Sequence, residues 1–424
     1  MLTEPVAMVP EEASATTGAC RFCGASHSHV VVDLGMSPLC ESYLAADELD
    51  RMEPFYPLRV LVCEDCYLVQ VKEYVSGEHI FTDYAYFSSY SDSWVDHARR
   101  YAKEMTERFS LGPASSVIEL ASNDGYLLRH FVERGIPCLG IEPARNVASV
   151  AESVGIPTLV AFFGRSVAER LAGEGIRADL IAANNVLAQV PDLNDFVSGI
   201  PLILAPEGVL TLEFPHLCRL IDGNQFDTIY HEHFSYFSWL VVDRILAAHG
   251  LRAFDVEELA THGGSLRVYA GHQNSGHETS DSALELADRE RGAGVETLAY
   301  YASFADRVQA AKRNLLTFLI EAKQRGETVV GYGAPGKGNT LLNYCGIRTD
   351  LLAYTVDRSP HKQGMYLPGT HIPIYPPEHI DETRPDYVLI LPWNLRDEIT
   401  QQMANVREWG GRFVVPIPTV EVVP

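Results

Sequence analysis

Two glycine-marked turns, far apart in the chain, each join an apolar strand-like run to a helix-like one, and each is followed by a second strand that ends in a carboxylate. The first reads Val117-Ile-Glu-Leu-Ala-Ser-Asn-Asp-Gly125, with Glu142 closing the next apolar run. The second reads Val329-Val-Gly-Tyr-Gly333-Ala-Pro-Gly336, with Asp357 closing its follower. Turns of this kind serve a mostly parallel sheet covered on both faces, whose ligands sit at the carboxyl ends of the strands. One turn implies one nucleotide-like ligand; two imply that a pair of ligands meet between two α/β domains.

A chain of 424 residues exceeds what one hydrophobic core organises, so two to three domains are expected. Its net charge of −23 repels nucleic acid and anionic membrane surfaces alike, and any phosphate-bearing ligand must be held by local donors. No apolar run approaches the roughly 20 residues of a membrane span. The segment 1–17 reads as a disordered tail without the basic and apolar blocks of a signal peptide, so a cytoplasmic protein is expected, a monomer or weak homo-oligomer.

Four of the eight cysteines form two Cys-x-x-Cys pairs, Cys20/Cys23 and Cys63/Cys66. In a reducing compartment this is a metal pattern, although a redox dithiol is its alternative. The surrounding segment, 18–75, holds short strand-like runs and too few apolar residues for a core of its own. A tetrathiolate Zn2+ would supply what that core lacks, and because four protein ligands close the coordination sphere, the ion is structural. The insert between the pairs must double back on itself.

From residue 116 strands and helices alternate: strands over 117–120, 138–142, 158–161, 178–184 and 208–214, helices over 126–133, 147–154, 165–173 and 192–200, and an antiparallel edge pair over 253–257 and 265–270. The central domain is placed at 76–285, a helical connector at 286–326 and a second Rossmann-like α/β domain at 327–424. Between the metal segment and the first strand lies an aromatic loop, Phe81 to Ser93, whose hydroxyls and rings suit either a ligand-lining strip (Tyr84, Tyr86, Ser88, Ser89, Tyr90) or a packing loop.

The first turn lacks the three glycines of a dinucleotide fingerprint. A single glycine after an in-strand acid, Glu119-x-x-Ser122-Asn123-Asp124-Gly125, is the arrangement of class I methyltransferases, where the turn passes beneath the amino-acid part of S-adenosylmethionine (SAM). In that reading Glu142 accepts both ribose hydroxyls, Phe162 or Phe163 stacks on adenine, and Asn184 and Asn185 stand beside the reactive methyl. Tyr230-His231-Glu232-His233 is the densest acid/base cluster of the chain. It lacks the i,i+4 spacing of a helical zinc-protease motif, and its aromatic neighbours would bury it. A histidine beside a glutamate in such a setting is a candidate general base.

Together, the Cys-x-x-Cys pairs, Tyr84-x-Tyr86-x-Ser88-Ser89-Tyr90, Ser122-Asn-Asp-Gly-Tyr-Leu, Tyr230-His-Glu-His-Phe-Ser-Tyr-Phe, His262-Gly-Gly-Ser265-Leu-Arg267 and Gly331-Tyr-Gly-Ala-x-x-Lys337-Gly-Asn339 resemble the TDP-deoxysugar C-methyltransferases of actinomycete natural-product pathways over nearly the whole chain. The resemblance implies SAM-dependent methylation at C3 of a TDP-4-keto-2,6-dideoxyhexose through a base-generated enolate. It makes His233 the base, supported by Glu232 and Tyr230, places Tyr84 near the sugar, and gives His262 and Ser265 lesser substrate roles. One departure stands out: the family usually carries histidine where this chain has Gln189, and an amide cannot shuttle a proton.

The second turn is a literal G-x-G-x-x-G. The resemblance implies that it cradles the TDP, with Lys337 and Asn339 near the phosphates and Lys362 and the Tyr366 loop closing over the nucleotide. The rival is an NADPH site, Asp357 on the ribose and Arg358 on a 2′-phosphate, which would add 4-ketoreductase activity. A third reading is a non-catalytic sugar-nucleotide-binding scaffold.

Overall fold

The computed structural model describes residues 18–26, 28–81, 88–90 and 92–423. The tail 1–17, Tyr84 and Tyr86 lie outside them, as does the side chain of Tyr90. The N-terminal part contributes β1 (Ser28–Ser37), β2 (Tyr56–Cys63) and β3 (Val69–Val71). The long insert between the cysteine pairs does double back, because β1 and β2 form an antiparallel pair that returns Cys63 toward Cys23.

The central part holds β4 (Val117–Leu120), β5 (Cys138–Ile141), β6 (Thr158–Leu159), β7 (Ala178–Asn184), β8 (Leu204–Pro215), β9 (Ser235–Tyr236), β10 (Leu251–Leu259) and β11 (Ser265–His272). Seven of these make one sheet in the order β10-β11-β8-β7-β4-β5-β6. Its β8-to-β6 side is parallel, while β10 and β11 pair antiparallel at the edge, as the alternating pattern there predicts. Strands β4 and β7 are buried almost throughout, as parallel strands covered on both faces must be.

The C-terminal part holds β12 (Val329–Tyr332), β13 (Thr355–Val356), β14 (Ile374–Tyr375), β15 (Tyr387–Ile390), β16 (Arg412–Val415) and β17 (Glu421–Val423), ordered β14-β13-β12-β15-β16-β17. All its pairings are parallel except the last. The helical connector expected at 286–326 holds the end of the helix Asp281–Ala293 and then two helices, Leu298–Tyr301 and Phe304–Gln324, separated at Ala302 and Ser303.

The missing strand of the N-terminal sheet comes from elsewhere. Strand β9, immediately after the Tyr-His-Glu-His segment, pairs antiparallel with β3 and gives the order β1-β2-β3-β9. The hydrophobic cores follow the same plan. One cluster joins Cys20, Cys63 and Leu68 to the central sheet, and another joins Leu58 and Val60 of β2 to Phe226, Leu341 and Leu389. The segment bearing the acid/base cluster is therefore wedged between all three parts of the chain.

Candidate active site

The turn after β4 is built from left-handed residues: Ala121 at φ 58°, Asn123 at φ 50° and Gly125 at φ 78°. A side chain at Gly125 would meet Ile156 Cδ1 at 2.5 Å, so glycine is required there both for its dihedral and for space. Glu142, at the end of β5, fixes this turn by accepting from Asn123 N at 2.9 Å and from Ala144 N at 2.8 Å. Asn185 at φ 53° makes a similar strained exit from β7. The end of the aromatic loop docks onto the turn: Ser88 N donates to Asn123 Oδ1 at 2.9 Å and Ser89 N to Asp124 Oδ2 at 3.1 Å.

These strand ends open on a cavity of about 710 Å³, ample for a cofactor and part of a second ligand. Asn123, Glu142, Phe162, Phe163, Asn184 and Asn185 line it, while Glu119, Ser122, Asp124 and Gly125 are buried and do not. Glu119 Oε2, Asp124 Oδ1 and Asn184 Oδ1 are buried without a hydrogen-bond partner among the described residues. Buried polar atoms are seldom left so. Burial, with the Glu142 and Asp124 charges beside it, raises the Glu119 carboxyl well above its ordinary range, so a cationic ligand group would favour its ionised form. This donor and acceptor set fits SAM. Phe163 packs edge-on against Phe196, whereas Phe162 is 44% exposed at the mouth and is the freer of the two to cover a base.

Tyr230, Glu232, His233, Thr228, His262 and Gln189 line the same cavity. His233 Nδ1 lies 3.2 Å from the Thr228 carbonyl, which can only accept. That nitrogen therefore carries the proton, and Nε2 keeps its lone pair. The Tyr230 ring lies 4.1 Å from the imidazole. Burial, aided by the nearby Lys337 charge, lowers His233 to about 4, so it is neutral near pH 7 and able to accept a proton. Glu232 accepts from the Cys40 thiol at 3.0 Å and is pushed up to about 7, chiefly by burial. His231 turns the other way, to Pro57 O at 3.2 Å, outside the cavity.

Away from this cavity, Cys20, Cys23, Cys63 and Cys66 bring their sulfurs within 4.8 Å of one another, with the Cys20–Cys66 and Cys23–Cys63 pairs at 3.5 Å. A tetrahedral thiolate site with Zn–S near 2.3 Å has sulfur edges of about 3.8 Å, so the four fit zinc closely.

Family models match the same three regions: "Putative zinc binding domain" over residues 20–81, "Methyltransferase domain" over 94–256 and "C-methyltransferase C-terminal domain" over 260–418. The C-methyltransferase NovU of Streptomyces niveus is 37% identical over 95% of this chain and 96% of its own. The chain belongs to this C-methyltransferase family. It is a SAM-dependent C-methyltransferase, and the reading as a non-catalytic scaffold falls. Solved methyltransferases overlay on less than half of it. The SAM-bound magnesium protoporphyrin IX methyltransferase of Synechocystis is 14% identical over 42% of this chain and 81% of its own, at a TM-score of 0.31. The CcbJ methyltransferase of Streptomyces caelestis is 12% identical over 41% and 89%, at 0.33.

In the methyltransferase the second glycine turn does not stand open as the G-x-G-x-x-G pattern implies. Asp357, expected on a ribose, accepts from Ala334 N at 2.7 Å and Ser359 N at 2.8 Å much as Glu142 ties its own turn, but unlike Glu142 it does not line the cavity. Tyr43 Oη and Lys362 Nζ both donate to Ala334 O, at 2.6 and 2.9 Å, and Lys362 also pairs with Glu41 at 3.5 Å. Cys40 Sγ lies 2.7 Å from where a Gly336 side chain would begin, and Asn339 Nδ2 donates to Cys40 O at 2.5 Å. The loop after β1 thus fills the cradle. Its residues do not fit a nicotinamide dinucleotide. Asn339, Lys362 and Asp357 are structural ties rather than cavity groups. Arg358 is exposed, Tyr366 pairs its backbone with Leu44, and Ser265 donates to Thr261 O; none of the three lines the cavity.

Lys337 is the exception. It sits on the first turn of the helix Gly336–Cys345 and lines the reaction cavity with Pro335 and Gly336. Its Nζ donates to Asn394 Oδ1 at 2.8 Å and lies 5.0 Å from the Trp393 ring centre. Burial lowers its pKa, while the Asp227 charge opposes that. Asp227 and Trp94 escaped the sequence reading. Asp227 accepts from Trp393 Nε1 at 2.7 Å, and the Trp94 ring lies 5.2 Å from His262, which is itself left-handed at φ 55°. Asp227, three residues before Tyr230 and flanked by Phe226, is the kind of charged residue in an apolar run that could have been singled out.

Proposed function

We propose that this cytoplasmic enzyme methylates C3 of a TDP-4-keto-2,6-dideoxyhexose during the biosynthesis of a natural-product sugar. One observation carries the reading: the proton-free Nε2 of His233 shares a cavity with the SAM-type turn. When bound, SAM supplies an electrophilic methyl group on a sulfonium. His233 takes the C3 proton, which is acidified by the adjacent C4 ketone, and the enolate carbon is then free to attack. Tyr230 packs on the imidazole and holds its plane. Glu232 stands beside it with a carboxyl that exchanges its proton near neutrality. Lys337, at a helix N-terminus, receives the substrate's negative charge, whether on the diphosphate or on the enolate oxygen. The extensive motif resemblance and the full-length C-methyltransferase relative support this substrate class.

The test is mass spectrometry of the product formed from a TDP-4-keto-2,6-dideoxy sugar and SAM, with and without NADPH. A single added methyl, lost in His233→Ala while SAM still binds, is expected. Turnover by His233→Ala would sink the base assignment, and a reduced product appearing only with NADPH would revive the ketoreductase.

A further inference from the structure

The Cys20–Cys23 knuckle carries a residue whose contacts have nothing to do with holding metal. Arg21 sends its guanidinium to three main-chain carbonyls. Nη1 and Nη2 each donate to Val71 O at 3.0 Å, Nη1 also donates to Phe234 O at 2.6 Å, and Nε donates to Pro191 O at 3.2 Å. Each acceptor lies on a different segment. Val71 ends β3, Phe234 directly follows His233, and Pro191 lies on the stretch after β7 that brings Asn185 and Gln189 to the cavity. Asn194 holds the knuckle in return, donating from Nδ2 to Arg21 O at 3.2 Å and to Phe22 O at 2.8 Å.

We propose that Arg21 is a positioning residue for methyl transfer, fixing the base segment against the cofactor-facing segment. This rests on His233 being the base. Among the described residues the His233 side chain makes one hydrogen bond, to Thr228 O, and packs on Tyr230, so the imidazole is set within its own segment while the clamp at residue 234 fixes where that segment sits. Phe234 N donates to Ala188 O at 2.7 Å, and Phe234 O receives Val71 N at 3.0 Å together with Arg21. A planar five-donor fork can span three carbonyls, whereas a lysine ammonium cannot reproduce that geometry. Attack on the methyl needs the carbanion and the sulfonium aligned, and a misplacement of about 1 Å costs on the order of 10²-fold. Proton removal needs only the base and the sugar.

The two steps can therefore be read apart. Exchange of the C3 hydrogen for deuterium, followed by NMR on the TDP-4-keto-2,6-dideoxy sugar in D2O without SAM, reports His233 alone. Full turnover with SAM reports alignment. In Arg21→Lys, exchange should stay close to wild type while kcat falls on the order of 10²-fold. Zinc content and calorimetric SAM affinity should not change. Unaltered kcat overturns the proposal. So does a loss of exchange, turnover and zinc in parallel, which would mark Arg21 as merely structural. Exchange that persists in His233→Ala would instead remove the base reading, and Arg21 would then be judged on kcat alone.

Discussion

At the scale of single residues, two neighbours in sequence are driven apart in proton affinity by burial. Glu232 is raised to about 7 and His233 lowered to about 4. With His233 as base, kcat/KM should keep its value from pH 8 down toward 5, because the imidazole is neutral over that range. An acid limb near pH 7 that disappears in Glu232→Gln would transfer the base role to the carboxylate. The stability consequence has a definite sign. A carboxyl whose folded pKa lies above its unfolded value favours the folded state below about 4.5 and loses that advantage as pH rises through about 7. Glu232→Gln should therefore raise the melting temperature more at pH 8 than at pH 5, by the equivalent of roughly 1–3 kcal/mol. An equal gain at both would contradict the burial argument. Lys337→Met removes the cation that lines the cavity, so KM for the sugar nucleotide should rise roughly 10- to 100-fold, the worth of a charged hydrogen bond. An unchanged KM would move the substrate's charge elsewhere.

Elements were the most legible level. The strand bounds 117–120 and 178–184 agree with the pattern of apolar runs, because parallel strands buried on both faces write themselves as continuous hydrophobic stretches. Helix starts were less legible. The helix after the first turn begins at Arg129 rather than at residue 126, since Tyr126 to Leu128 are drawn into the turn under the cofactor cavity. That turn is the place for a prediction at this scale. Gly125→Ala puts a methyl group onto Ile156 Cδ1 at a left-handed position. It should cost roughly 1–3 kcal/mol in chemical denaturation and weaken SAM binding by calorimetry. Wild-type affinity in a destabilised variant would separate the turn's fold from its binding role.

At the scale of the molecule, the zinc segment, the base segment and the C-terminal helix share walls. The N-terminal sheet takes its last strand from residues 235–236, and its loop at Cys40 closes the second glycine turn. Chelating the metal should thus reduce methyl transfer in step with zinc loss and lower the melting temperature, since the ligand set folds only around its ion. Full activity in zinc-free protein would show that the knuckle is dispensable. The chain's motifs alone picked out the four-cysteine cluster, the turn after β4 and the Tyr-His-Glu-His segment, because each is a local arrangement of residue types at fixed spacing. Residue order could not tell which groups would share a cavity. Gly331 to Gly336 reads as a dinucleotide cradle, yet Cys40, Tyr43 and Asp357 occupy it, and of the substrate residues expected around it Lys337 alone reaches the cavity. The contacts of Cys40 and Tyr43 join residues hundreds of positions apart, and only packing decides whether a pocket that a motif implies is left open or filled.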